Sequence, residues 1–299
     1  MNHKSTSYKI FLFANYLFMA AVFIVCIFPY FHTLAKALND GNDTMRGGIT
    51  FYPRVFTMQN FQVLLADTSI YRAFFISVLR VVIGTVLGVA VQFAAGYALS
   101  HQNLPGRRKL MLFIIIPTFI AGGTIPTYLL YVHSGLINNF WVYILPQLMS
   151  YYNVMVIRSY IESSVPSSLN DAAAIDGAHE LTIMCRIIFP LCLPVVATVS
   201  LWVAVTHWNN WTTTMYYITK ESLFTLQYKL MQVVKESERL QALLQAAQAS
   251  GEDVNVSVKS TPESLVSAQV IITTIPIIIV YPFLQKYFVK GVTLGAVKS

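Results

Sequence analysis

Six long apolar runs restrict what this chain can fold into more than any other feature of its sequence. They cover approximately residues 10–31, 74–99, 110–132, 140–160, 191–208 and 265–288. A bilayer core about 30 Å thick is crossed by about 20 helical residues at about 1.5 Å of rise each, so runs of this length can span it. They are apolar all round, whereas the helices of a soluble domain carry a polar face. The sequence therefore predicts an all-α polytopic membrane protein with six transmembrane helices in a single domain, residues 1–299.

Composition supports this class and argues against two others. Hydrophobic residues make up 56% of the chain and charged residues 11%, a balance typical of polytopic membrane proteins. The net charge of +7 comes from scattered Lys and Arg residues without a basic helix, so no nucleic-acid partner is predicted. The three cysteines form no CxxC pair and the six histidines are isolated. Neither a metal site nor a disulfide framework is therefore predicted.

Positive charges set the predicted orientation. The cluster at residues 107–109 and the three lysines after residue 285 mark cytoplasmic segments, because Lys and Arg are enriched on the inner side of membranes. Lys4 and Lys9 precede a first run that is longer than the h-region of a cleaved signal peptide, so we interpret it as a retained span. Both termini are then predicted to be cytoplasmic. Residues 161–190 form a cytoplasmic loop, and residues 212–264 form an external excursion.

Two runs contain residues that are unusual inside a membrane. Arg80 lies in the outer third of the second run, where we expect its side chain to snorkel to the interface, with pairing to another subunit as the alternative. The third run is interrupted by Pro117, Gly122-Gly123 and Pro126, which release backbone hydrogen bonds. We interpret this interruption as a packing kink in preference to a gating hinge.

The cytoplasmic loop contains a polar segment rich in small residues. Ser168 and Asp171 have the spacing of a capping box, which predicts a helix start just after Pro166. Three alanines at 172–174 leave that helix with a flat surface, and Gly177 favours a tight turn before a second helical segment. The pattern predicts a helix-turn-helix elbow that a partner protein can approach, although a solvated connector would explain these residues equally well.

The elbow resembles the cytoplasmic signature of bacterial ABC importer permeases. That signature reads Glu-Ala-Ala, three residues, Gly, nine residues, Ile, one residue and Leu-Pro. Here Asp171-Ala172-Ala173, Gly177, Ile187 and Phe189-Pro190 keep every spacing, with Asp171 in place of Glu and Phe189 in place of Leu. The triplet Asp176-Gly177-Ala178, the end of the fifth run at residues 208–211 and the sequence at 287–298 resemble the carbohydrate branch. They are similar to the smaller permease of the maltose transporter and to permeases for complex sugars and polysaccharides.

This resemblance implies a type I ABC importer transmembrane-domain fold in the bacterial cytoplasmic membrane. It implies a permease subunit of an ATP-driven, binding-protein-dependent importer of sugars or oligosaccharides that works by alternating access. The implied partners are a second homologous permease in a heterodimer, two cytosolic ATPase subunits, an external solute-binding protein and membrane lipid. ATP and Mg would be bound by the ATPases, and this chain would hold no cofactor and catalyse no reaction. Some part of residues 216–260 would reach into the binding protein.

Two sets of site residues follow. The resemblance implies that the ATPase is contacted by Asp171, Ala172, Ala173, Asp176, Gly177, Ala178, Ile187 and Pro190. Sugars are bound by aromatic faces and amide groups, which gives as candidates for the substrate path Tyr151, Tyr152, Asn153, Trp208, Asn209 and Asn210. An interfacial aromatic belt is the commoner explanation of Trp and Tyr near a span end.

Other functional classes fit the sequence less well. A secondary carrier needs intramembrane carboxylates, and all thirteen acidic residues fall outside the six runs. A membrane-embedded enzyme needs clustered polar or metal-binding residues near one membrane face, and the sequence shows no such cluster. The sequence has no GxxxxGK[ST] phosphate loop, so ATP hydrolysis requires a separate subunit. A carrier or channel that is not powered by an ATPase remains the alternative.

Overall fold

The computed structural model describes residues 6–66, 68–120, 122–166, 168–249 and 260–295. Within these ranges the regular structure is helical, and extended backbone pairs at an isolated bridge between Asn39 and Phe56. The α-helices are α1 (Thr6–Ala37), α2 (Gly41–Met45), α3 (Gln59–Leu65), α4 (Ser69–Ser100), α5 (Arg107–Phe119), α6 (Thr124–His133), α7 (Tyr151–Ser164), α8 (Ser168–Ile175), α9 (Glu180–Thr182), α10 (Phe189–Leu191), α11 (Leu193–Asn209), α12 (Thr212–Tyr217), α13 (Leu226–Ala249) and α14 (Pro262–Gly295). Short 3-10 helices occupy Phe140–Tyr143, Leu145–Gln147 and Glu221–Leu223, and a π-helical turn occupies Ile183–Ile188.

The helices account for six candidate spans. Three are long and apolar enough to cross a membrane alone, over Ser7–Ala37, Ser69–Ser100 and Pro262–Val280. Three bent pairs pass the same test together, namely Arg107–Phe119 with Thr124–His133, Phe140–Gln147 with Tyr151–Ser164, and Glu180–Leu191 with Leu193–Asn209. Counting each pair as one span gives six. The prediction of an all-α polytopic protein is therefore confirmed for the described residues.

The third and fourth runs are broken where the backbone cannot continue a helix. α5 ends at Phe119, and α6 begins at Thr124 after Gly123, whose φ of 83° is left-handed. In the fourth run, Leu145 and Pro146 lie in a 3-10 helix. Proline has no N–H to donate and clashes with the preceding turn of an α-helix, so the α-helix does not continue through Pro146. α7 then begins at Tyr151, and the two parts of the fourth run meet at 49°. The fourth span, predicted to be continuous over residues 140–160, is therefore divided by irregular backbone around Pro146.

One of two compact units comprises Met1–Thr68 and Leu230–Pro276. Within it, the fully buried Asn60 on α3 donates its side-chain amide to the carbonyls of Ala37 and Asn39, each at 2.9 Å. Its carbonyl oxygen accepts the hydroxyl of Ser264 on α14 at 2.9 Å. A single side chain therefore joins the end of α1, α3 and the start of α14, with every polar atom of the amide paired.

The second unit comprises Ser69–Lys229 and Ile277–Ser299. Its apolar core lies where α4, α7 and α11 pack, and it includes the buried residues Phe93, Ile157 and Val199. Gly84 allows α4 to approach α11 closely. A Cβ atom at this position would lie 2.4 Å from Nε2 of His207, a separation that no side chain tolerates.

Arg80 on α4 is fully buried in the second unit, so the prediction that it snorkels to the interface is wrong. Its Nη1 donates to the carbonyl of Asn210 at 2.6 Å, and its guanidinium lies 4.6 Å from the ring centroid of Tyr143. Asn210 is the C-cap of α11, where backbone carbonyls lack helical partners and the helix dipole favours a positive charge. The end of α11 therefore holds the guanidinium inside the protein.

Candidate functional site

The helix-turn-helix elbow predicted from the sequence is present in the structure. α8 ends in a Schellman motif, in which Ala178 N–H donates to the carbonyl of Ala173 and Gly177 N–H to that of Ala174, both at 3.0 Å. Gly177 occupies the left-handed position with a φ of 76°, which favours glycine. Ser168 is the first residue of α8 and not its cap. The preceding Ser167 lies outside the described residues.

The second limb of the elbow contains the π-helical turn. His179 caps α9 by accepting the N–H of Leu181 on Nδ1 at 3.3 Å. The turn at Ile183–Ile188 follows, and both Ile183 and Ile188 are buried although they lie five residues apart. Hydrogen bonding between residues i and i+5 places such a pair on the same side. The limb then meets α11 at 86°.

The eight residues expected to contact an ATPase fall on two sides of the elbow. Ala173 is buried, and Ala178 and Ile187 pack against the same apolar core. The other five are exposed, namely Asp171, Ala172, Asp176, Gly177 and Pro190. Two further apolar side chains stand beside them, Ile175 at 86% exposure and Leu181 at 62%. Sequence reasoning missed both, although exposed apolar residues on a polar segment indicate a contact surface.

Side chains distant in sequence connect the elbow and the end of α7 to the rest of the second unit. The Tyr97 hydroxyl on α4 donates to Oε1 of Glu180 at 2.8 Å, and Nε2 of His101 lies 3.5 Å from the same oxygen. Arg107 pairs with Glu162 near the end of α7. Sequence reasoning did not identify these contacts, because their partners are 83 and 55 residues apart.

A pocket of about 450 Å³ lies beside the break in the fourth span. We call it the central pocket. It is formed by α4, α7, α11 and the irregular backbone before α7, and its lining consists of Gln92, Pro146, Gln147, Met149, Ser150, Tyr152, Asn153, Trp202, Val203, Thr206 and His207. Irregular backbone at membrane depth occurs where protein covers it or where it lines a cavity. The irregular backbone that Pro146 introduces therefore lines a cavity.

The central pocket offers an aromatic surface and several polar groups. The rings of Tyr152 and Trp202 lie 5.7 Å apart between centroids and are tilted by 40°. Asn153 donates its side-chain amide to Oε1 of Gln92 at 2.9 Å, and Gln92 donates to the carbonyl of Leu148 at 3.0 Å. Aromatic faces combined with fixed amides are the groups that bind sugars.

The six residues expected on the substrate path are not all brought together. Tyr152 and Asn153 line the central pocket, whereas Tyr151 does not. Trp208 is buried and makes a T-shaped contact with Phe74, with ring centroids 6.2 Å apart. Asn209 ends α11, and the side chain of Asn210 accepts the N–H of Thr213 at 3.0 Å. Sequence reasoning missed the pocket residues Gln92, Gln147, Trp202, Thr206 and His207.

The profile of the family described as binding-protein-dependent transport system inner membrane component matches residues 6–294. The chain belongs to this family. It is accordingly the permease of an ABC importer, a transport subunit and not an enzyme, and it resides in the membrane. This membership leaves the alternative of a carrier or channel without an ATPase unsupported.

Individual members of the family agree with this placement. The chain is similar to the polygalacturonan/rhamnogalacturonan transport system permease protein YtcP of Bacillus subtilis (strain 168), with 32% identity over 95% of this chain and 96% of that protein. It is 27% identical to the arabinooligosaccharides transport system permease protein AraQ of Halalkalibacterium halodurans, over 94% of each chain. It also matches a chain in the crystal structure of a bacterial ABC transporter involved in the import of the acidic polysaccharide alginate. That match has a TM-score of 0.77 and 25% identity, covering 96% of this chain and all of that one. The type I importer fold is therefore confirmed.

Proposed function

We propose that this ABC permease carries sugars or oligosaccharides into the cell and that the central pocket lies on their path. The relatives named above transport or import saccharides. The observation that carries the proposal is the pairing of Tyr152 with Trp202 beside buried amides in a pocket between spans. An aromatic surface binds the apolar face of a sugar ring, and the amides bind its hydroxyl groups.

The elbow is the proposed docking site for a cytosolic ATPase. Its outer side presents Asp171, Ala172, Asp176, Gly177 and Pro190 together with the exposed Ile175 and Leu181, a surface with both charge and apolar area. Ala173 and Ile187 anchor the inner side in the core, so a force applied to the elbow reaches α4, α7 and α11. ATP and Mg are bound by the partner ATPases, and this chain transmits their closure to the spans.

The proposed assembly pairs this chain with a second permease in the bacterial cytoplasmic membrane, with both termini of this chain cytoplasmic. The long exposed apolar surface of α1 is available for lipid and for such a neighbour, because large exposed apolar surfaces mark contacts with protein or lipid. Part of residues 216–260 contacts the external binding protein. Deleting residues 231–258 should impair ligand release from that protein more than assembly, and unchanged uptake would reduce this segment to a spacer.

Uptake into proteoliposomes tests the sugar proposal. The purified complex, with its binding protein, should import oligosaccharides only when ATP is supplied on the ATPase side. Trp202→Ala should reduce uptake without reducing assembly, whereas Trp141→Ala, which changes an exposed tryptophan outside the central pocket, should leave uptake near the wild-type rate. Equal uptake by both variants would remove the pocket from the path.

Site-specific crosslinking tests the elbow. A photoreactive residue in place of Ala172 should form an adduct with the ATPase, because this position is exposed beside Asp171. The same residue in place of Tyr52, which is 74% exposed in the segment predicted to be external, is the matched control. An adduct from Tyr52 and none from Ala172 would contradict both the docking site and the orientation.

A further inference from the structure

The side chain of Gln92 connects α4 to the fourth span on both sides of its break. It is buried, and its Nε2 donates to the carbonyl of Leu148, in the irregular backbone before α7, at 3.0 Å. Its Oε1 accepts Nδ2 of Asn153, in the first turn of α7, at 2.9 Å. Gly88 lies one turn earlier on α4, and a Cβ atom there would be 4.0 Å from the carbonyl oxygen of Gln147. The irregular backbone therefore lies directly against this face of α4.

The direction of both amides follows from one backbone carbonyl. The oxygen of Leu148 can only accept a hydrogen bond, so Gln92 must turn its Nε2 toward it. Oε1 of Gln92 is then turned toward Asn153, and because this oxygen also can only accept, Asn153 must present its Nδ2. The carbonyl of Leu148 thus fixes the orientation of Gln92, and Gln92 fixes that of Asn153.

Oδ1 of Asn153 is the acceptor that this chain of hydrogen bonds leaves over. It accepts no hydrogen bond from the residues that the structure describes, and it is not sealed inside the protein as Oε1 of Gln147 is. Asn153 lines the central pocket together with the aromatic pair Tyr152 and Trp202. The pocket therefore presents a fixed hydrogen-bond acceptor and not a freely rotating amide.

We infer that Gln92 is a positioning residue for sugar transport, which holds the amide of Asn153 so that Oδ1 accepts a hydroxyl group of the passing sugar. The inference rests on the proposed path through the central pocket and adds the polarity of one contact and the residue that sets it. The sugar ring lies against Tyr152 and Trp202 while one hydroxyl group donates to Asn153. A site with a fixed acceptor discriminates against a sugar that lacks the matching hydroxyl group, because the acceptor is then left unpaired.

The test measures whether Gln92 acts through Asn153. The complete transporter with its binding protein is placed in proteoliposomes and supplied with ATP and an equal mixture of oligogalacturonates and arabinooligosaccharides. Gln92→Met, Asn153→Leu and the double variant are compared with wild type, with uptake rates divided by the amount of assembled complex. Gln269→Met makes the same change at a half-buried position on α14 that does not line the pocket, and it should leave uptake near the wild-type rate.

We expect each single variant to reduce uptake about fivefold, the effect of about one lost hydrogen bond. In the Asn153→Leu background, Gln92→Met should reduce uptake less than about twofold further, because a positioning residue has no effect once the group it positions is gone. Independent losses that multiply to about 25-fold would show that Gln92 only supports the backbone at Leu148, and would overturn the inference.

Two further variants complete the experiment. Gln92→Glu at pH 6, where a buried carboxyl group stays protonated, offers one donor and one acceptor and should retain at least about half of the wild-type uptake. A loss as large as that of Gln92→Met would contradict the inference. Asn153→Leu keeps the bond from Gln92 to Leu148, so unchanged uptake by this variant would overturn the inference even if Gln92→Met failed to assemble. Absence of uptake by the wild type would refute the proposed function itself.

Discussion

Substitutions of Gly177 distinguish two effects on transport, strain in the backbone of the elbow and steric blocking of its surface. The residue has a φ of 76°, and a Cβ atom added there would meet no other atom within 4 Å. Ala and Phe at this position are therefore both destabilising by about 1–2 kcal/mol, because the backbone must stay in the left-handed conformation. The Cβ atom of either residue adds no clash within this chain. Asn adopts this conformation more easily, so Gly177→Asn is the control for a side chain with less backbone strain.

The three variants make a graded series for the docking proposal. Strain of about 1–2 kcal/mol lowers the ratio of native to non-native elbow by about fivefold to thirtyfold, and the upper value is the largest effect expected of Gly177→Ala. If the elbow docks on an ATPase, Gly177→Phe should reduce ATP-driven uptake at least about tenfold below Gly177→Ala, a further loss of about 1.4 kcal/mol.

Proteoliposomes that contain the complete complex give both measurements, uptake and ATP hydrolysis. Gly177→Phe should still hydrolyse ATP without transport, while Gly177→Asn should remain coupled. Equal losses in the Ala and Phe variants would show that strain alone accounts for the effect. Coupled transport by the Phe variant would refute the docking reasoning altogether.

Three further predictions concern the packing around these sites. Gly84→Ala should destabilise the complex by about 1–3 kcal/mol through overpacking against His207, whereas Gly88→Ala, whose nearest contact would be 3.6 Å, should be almost neutral in a thermal unfolding assay. A double-mutant cycle of Tyr97→Phe and Glu180→Gln should give a coupling energy below about 1 kcal/mol, because the Glu180 side chain is 62% exposed, and a value of zero would remove this contact from the elbow. The hydrogen bond from Asn39, followed by the contacts with Arg54, lowers the pKa of Asp43 below its ordinary 3.8. The ionised Asp43 carboxylate should therefore stabilise the fold at pH values above its ordinary pKa of 3.8, and this stabilisation should be lost as the pH falls through the lowered pKa. Asp43→Asn should remove this part of the pH dependence of unfolding.

Local sequence signals were sufficient for the spans and the elbow. Apolar length predicted the helical class, because a bilayer demands a fixed length of apolar helix. Gly177 predicted the turn, because the left-handed position that ends α8 favours glycine and depends little on the rest of the chain. The match to the family signature depended on the spacing of residues within this one segment.

The central pocket and Arg80 could not be derived in the same way. Gln92, Asn153 and Trp202 come from three helices that are distant in sequence, and no periodicity within one helix reports which neighbour it packs against. The surroundings of Arg80 depend on Tyr143 and on the carbonyl of Asn210, 130 residues away. The sequence of a single helix predicts that Arg80 snorkels to the interface, whereas the tertiary structure provides the carbonyl of Asn210 as its partner inside the protein.

The π-helical turn at Ile183–Ile188 absorbs one residue of chain length in the elbow. It contains one residue more than an α-helical turn needs, and Ile183 and Ile188 still lie on the same side. Deleting a single codon within the turn would restore α-helical geometry, in which residues four apart share a side, so the residues that follow would keep their orientation. Deleting a codon within α11 would instead rotate the rest of that helix by about 100°, one residue of a helix with 3.6 residues per turn, and would change the side chains presented to the central pocket. The gene can therefore lose a residue from this short turn more easily than from the helix that follows it.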